Sequence, residues 1–103
     1  MKNKIKDKSG IDEIALDIYH GKLFQGDAII VKRRNPSYSN LMKSYGLFEE
    51  LWIEELERDK HVGIIMDKNP KKEIIDSGKV LVYIKSEYIY LHYSDFKKIS
   101  QLC

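Results

Sequence analysis

Cysteine is nearly absent. Cys103 stands alone at the end of the sequence, so no internal disulfide can form and no thiolate metal site can be assembled. No apolar run approaches the ~20 residues that a membrane-spanning helix needs. The opening Met1-Lys2-Asn3-Lys4-Ile5-Lys6 is basic but has no apolar stretch behind it, so it does not read as a signal peptide. Excess charge of one sign is missing too. The formal net charge is +2, too small by itself to argue for nucleic acid.

The marks of common catalytic sites are also lacking. His20, His61 and His92 are scattered, with no H-x-x-x-H spacing. There is no glycine-rich phosphate loop, and no serine sits between the glycines of a nucleophile elbow. The carboxylates gather at 49–57 on what reads as the outside of a helix. Nothing in the sequence buries a pair of them so as to separate their pKa values for acid–base work. The expectation is a non-catalytic protein with no cofactor and no metal.

What is present suits one folded domain. With 103 residues, 43% hydrophobic and 33% charged, the chain can bury a modest core and does not have a disordered composition. Residues 1–10, with Lys2, Lys4, Lys6 and Lys8, read as a flexible basic arm. Residues 11–20 read as a helix with an apolar face of Ile11, Ile14, Ala15 and Ile18, a Ser9 cap and a Gly21 stop. Residues 27–33 read as a strand, ended by the Asn35-Pro36 breaker. Residues 37–46 read as a loop with at most one helical turn. Residues 47–58 read as a helix with Leu47, Phe48, Leu51, Trp52 and Leu56 on its apolar stripe, and with Glu49, Glu50, Glu54 and Glu57 opposite.

Residues 61–93 read as the antiparallel core of the molecule. Strand 61–67 is followed by a turn at 68–72. Strands 79–85 and 88–93 then form a hairpin joined at Ser86-Glu87. A short helical turn follows, ending near Ile99.

Period-2 alternation divides the last strand into two faces. Ile89, Leu91 and Tyr93 point one way, while Tyr88, Tyr90 and His92 point the other. Three uses of the second set compete. A helix could cover it, it could anchor a protein partner, or it could be a platform on which bases stack. In the last case Lys32, Arg33 and Arg34 are candidate phosphate contacts. The acidic helix would repel a phosphate backbone nearby, which favours a protein partner over nucleic acid. Trp52 with Glu49, Glu50 and Glu54 forms a second candidate protein-binding patch.

Four segments carry a resemblance: Gly26-Asp27-Ala28-Ile29-Ile30-Val31-Lys32, His61-Val62-Gly63-Ile64-Ile65-Met66, Lys79-Val80-Leu81-Val82-Tyr83, and Tyr88 to Phe96. Their cadence resembles the small SH3-like barrels of bacteriophage proteins, which close with a hairpin and a short turn before a last apolar residue. The first two segments also resemble KOW modules. The resemblance implies an α+β, mostly β fold. It would be a small SH3-like antiparallel barrel over 11–103, with an N-terminal helix and a helical insertion at about 37–58 between its first two strands. It implies a phage or mobile-element accessory protein that binds another protein, viral or host, as a virion component or a host-factor binder. The place of action would be the host cytoplasm or the virion. A KOW-like nucleic-acid binder is the alternative.

Overall fold

A computed structural model describes residues 12–33 and 45–101. The basic arm, Arg34 and most of the 37–46 segment lie outside the described residues. Helix α1 spans Glu13–His20. Its cap is Asp12, whose Oδ1 accepts the Ala15 N–H at 2.8 Å, while the expected Ser9 lies outside the described residues. Gly21 ends the helix with φ 71°, as its position predicts.

Strand β1 (Ala28–Val31) leads by way of the undescribed segment to α2 (Leu47–Arg58) and β2 (Val62–Ile65). Helix α3 (Pro70–Ser77) then precedes the β3 (Lys79–Ile84) and β4 (Glu87–His92) hairpin. A 3-10 turn (Tyr93–Asp95) leads into the short β5 (Phe96–Lys98), and a second covers Ile99–Gln101.

The expected turn at 68–72 is instead the start of α3. Pro70 occupies the first helical turn, where its missing N–H costs nothing, and Gly78 closes the helix in the left-handed region at φ 84°. Asn69-Pro70 is therefore a helix start and not only a chain reversal.

The hairpin turn is Lys85-Ser86, one residue earlier than expected. Ile84 pairs with Glu87, and both loop residues have positive φ, 52° and 65°. Those angles define a type I′ turn, whose twist matches the flanking strands even without glycine.

All five strands form one antiparallel sheet in the order β4-β3-β2-β1-β5. The fold is α+β, with three α-helices among the described residues. The sheet is not closed into the expected barrel. β4 and β5 remain its two edges, and the last N–H of β4, that of His92, is taken by the Tyr45 hydroxyl at 2.6 Å.

The inner face of the sheet carries Ile29, Val31, Ile65, Val80, Val82, Ile84, Ile89, Leu91 and Phe96, all buried with Leu16, Leu23, Ile53, Leu56 and Ile74 in one core. Helix α2 packs on β1, and α3 packs on β3 and α1. Gly63 lies on the inner face, where a Cβ would come 2.7 Å from Val82 Cγ1. The Val82 and Ile84 side chains of β3 fill the space that a side chain at this position would need.

Both helical stripes are corrected. Ile14 (73% exposed), Ile18 (82%) and Ala15 face solvent, and α1 docks through Leu16, Tyr19 and His20. With Leu23 these make an equally regular i, i+3, i+4, i+7 series, so periodicity identified the helix but not the covered side. The His20 ring stacks on Phe96 at 4.6 Å, and its Nε2 lies 2.7 Å from the Tyr93 carbonyl oxygen.

In α2 the buried positions are Ile53 and Leu56, while Phe48 (85% exposed) and Leu51 are exposed. Ile53, which stands in sequence among the glutamates of the polar face, is fully buried in the docked one. Two glutamates of that face are turned inward to serve Arg33.

Candidate functional site

The outer face of the sheet is built by strict alternation. β1 contributes Ala28 and Ile30, β2 Val62 and Ile64, β3 Leu81 and Tyr83, and β4 Tyr88 and Tyr90. Their cross-strand partners are Ala28 with Ile64, Ile64 with Tyr83, and Tyr83 with Tyr88. Ile30 pairs with Val62, and Leu81 with Tyr90.

Tyr88 is 62% exposed and Tyr90 55% exposed, and Val62, Ile64 and Tyr83 are exposed with them. The Tyr83 and Tyr88 rings meet at 4.9 Å with planes tilted by 55°, an aromatic pair across the two strands of the hairpin. No helix of the described residues covers this face. A row of apolar and tyrosyl side chains therefore crosses four strands in the open. Tyrosine combines a large apolar ring with a polar tip, which suits a surface alternately wet and covered.

His92 does not join the two tyrosines, although alternation puts it on their side. It is buried at the end of β4. Its ring stacks on Tyr93 at 4.5 Å, and its Nδ1 accepts the Ser94 N–H and lies 2.8 Å from Ser94 Oγ. Burial pushes its pKa below the ordinary histidine value, with the Asp95 charge working against that and Lys79 with it.

The 32–34 cluster is not one basic patch. Lys32 is exposed, Arg34 lies outside the described residues, and Arg33 is buried. Arg33 Nη1 pairs with Glu50 Oε1 at 2.8 Å. Its Nε lies 3.8 Å from Asp95 Oδ1, an ion pair too long to be a hydrogen bond. The Arg33 N–H donates to Glu57 Oε2 at 2.9 Å. Burial opposes the guanidinium charge, but the Glu50 hydrogen bond and the Asp95 charge outweigh it and hold the Arg33 pKa above the ordinary value.

Tyr45 completes this group. Its hydroxyl donates to Asp95 Oδ2 at 2.8 Å and accepts the His92 N–H, while Lys79 Nζ stands 5.0 Å from its ring centre. Burial and the neighbouring Asp95 push its pKa up. The cluster ties the end of β1, α2 and the end of β4 together, with Arg33 set between Glu50 and Asp95. It is a buried structural network of the kind whose rupture leaves uncompensated charge.

The second candidate patch is divided in the same way. Trp52 is half-buried against the core, Glu50 belongs to the Arg33 pair, and Glu49 accepts the Gly46 N–H at 3.1 Å as a cap of α2. Glu54 is exposed, as is Glu49 despite its capping bond.

Among the described residues no group of three or more His, Cys, Asp or Glu side chains could hold a metal ion. Among them, too, no helix is long and apolar enough to cross a membrane. Tyr83 was missed as a member of the tyrosine face. Its place opposite Tyr88 follows from the hairpin register, which the shifted turn had obscured. Comparison with protein-family models, with curated proteins and with solved structures gives no match.

Proposed function

We propose that this chain is a non-catalytic protein-binding module, and that the outer face of its sheet is the binding surface. The observation that carries this reading is the uncovered row Ile64-Tyr83-Tyr88, with Leu81 and Tyr90 beside it. Large, rigid, amphipathic side chains on a regular backbone are the usual anchors of protein interfaces. Contiguous exposed apolar surface is a mark of interaction sites.

The finer fold reading belongs to the same proposal. The hairpin, then one 3-10 turn, then the apolar Phe96 follow the closing cadence of the SH3-like phage proteins that the sequence resembles. On that basis we place the chain among their open relatives, as an accessory protein of a phage or mobile element acting on a viral or host protein.

The KOW-like alternative loses its best phosphate contact, because the Arg33 guanidinium is already held by Glu50 and Asp95. The test compares wild-type protein with Tyr88→Ser/Tyr90→Ser. Partner binding should be lost while the thermal midpoint stays nearly the same. A large fall in the midpoint would make the tyrosines core residues and end this reading.

A further inference from the structure

The two edges of the sheet are unlike. β5 is three residues long and carries Lys97 and Lys98, which is how natural sheets blunt an edge against pairing. β4 is six residues long, Glu87-Tyr88-Ile89-Tyr90-Leu91-His92, with neither lysine nor proline. Its one charged residue, the exposed Glu87, stands at the turn end and leaves Tyr88 to Leu91 without a charge.

The phase of its hydrogen bonds can be read from its neighbour. The Leu81 carbonyl accepts from the Met66 N–H at 2.9 Å, and the Leu81 N–H donates to Asp67 Oδ2 at 2.8 Å. Both backbone groups of Leu81 therefore point away from β4. Tyr90 stands directly opposite Leu81 and so makes no ladder bond to β3. Its N–H and C=O point outward from the edge, and those of Tyr88 and His92 share that phase. The His92 N–H going to the Tyr45 hydroxyl agrees with it.

The outward groups are thus bounded at both ends. On one side Ser86 is a turn residue with φ 65°. On the other the His92 N–H is already used. What remains open is Tyr88 and Tyr90, placed symmetrically about Ile89.

From this we infer that β4 pairs antiparallel with β4 of a second copy of this chain, about a two-fold axis at Ile89. Tyr88 of one copy then faces Tyr90 of the other, and every outward N–H and C=O of these residues finds a partner. A two-fold at Tyr90 would need the occupied His92 N–H, and a two-fold at Tyr88 would need Ser86 in an extended conformation. Only the Ile89 axis uses all the open groups.

The register puts Glu87 opposite Leu91, so no like charges meet. It also sets the Tyr88 ring beside Tyr90 of the second copy on the outer face. The apolar row Ile64-Tyr83-Tyr88 continues into Tyr90 and Leu81 of that copy, and the two binding faces become one. This goes beyond the proposed function, because it depends on backbone groups at an edge and not on any second kind of protein. Two short strands bury less than the ~1,200 Å² of a stable interface, so the dimer exchanges rapidly with monomer.

Sedimentation and amide exchange of the full chain over micromolar to millimolar concentration test the inference. Wild-type protein should pass from monomer to dimer, and exchange of the Tyr88 and Tyr90 amides should slow with concentration while that of Ile89, already bonded inward, does not change. Tyr90→Pro removes an outward N–H without touching the inner ladder, a place where an edge strand tolerates proline. It should abolish the dimer, whereas Tyr90→Phe should keep it.

A wild-type chain that stays monomeric at millimolar concentration overturns the inference. So does a dimer in which the Tyr88 and Tyr90 amides remain unprotected, and that readout requires no variant to fold. If the chain is monomeric yet still loses its protein partner in Tyr88→Ser/Tyr90→Ser, the edge pairing fails and the proposed function stands.

Discussion

The two faces of this sheet are made from the same strands, yet they do opposite things. On β4, Ile89 and Leu91 turn inward and are sealed, while Tyr88 and Tyr90, one residue away, stand in solvent. The inner face is mostly aliphatic and buried, with helices packed on β1 and β3. The outer face is aromatic and covered by none. Burial on the first face drives folding. The second face leaves apolar surface in water, which folding alone does not call for. The contrast teaches that in such a small domain the outer row is the place to look for a partner.

The comparison can be broken hardest at its inner side. Leu91→Ala should cost about 2–5 kcal/mol, since it removes a buried side chain and leaves a cavity between sheet and helices. Denaturant unfolding would show it as a lower midpoint with an unchanged slope. Arg33→Ala should approach the same size, about 3–5 kcal/mol, because Glu50 and Asp95 would be left without their buried counter-charge. Gly63→Ala should cost about 1–3 kcal/mol by forcing a Cβ against Val82.

A smaller effect comes from pH. His92 has a folded-state pKa below its ordinary value of 6.5, chiefly because it is buried. Below that pH the unfolded chain takes up a proton that the folded one resists. The stability contributed by neutral His92 is therefore complete above the unfolded value and declines as pH falls from there toward the folded pKa. A pH series of unfolding midpoints should show this decline, and His92→Gln should flatten it. Smallest of all is the outer face. Tyr90→Ser should change stability by no more than about 0.5 kcal/mol. Tyr88→Ser should lose about 0.2–1 kcal/mol more with its ring contact to Tyr83.

Much of this fold was legible in the residues. The strands at 27–33, 61–67, 79–85 and 88–93 announce themselves by β-branched and aromatic runs, and the helices at 11–20 and 47–58 by periodicity, the first with its Gly21 stop. So does the alternation that leaves Tyr88 and Tyr90 outside. What stayed hidden was hidden for physical reasons. Helix α1 has two equally regular stripes, and only the docking of its neighbours chooses Leu16, Tyr19 and His20. Helix α2 buries a face that includes Glu50 and Glu57, and carboxylates on a helix read as solvent-facing until a buried Arg33 is found to need them. The backbone N–H of His92 is bonded by Tyr45, a residue distant in sequence whose hydroxyl finds the end of β4. A polar contact between residues so far apart leaves no trace in a periodic pattern.

The claim at the centre of this account is that the outer tyrosine face exists for a partner. The measurement that tests it most directly is capture of protein from the native cellular context on immobilised wild-type chain and on Tyr88→Ser/Tyr90→Ser, with both shown to be folded by their unfolding midpoints. The account predicts a specific partner that wild type retains and the folded double variant loses. An identical set of proteins held by both, with the variant fully folded, would contradict it.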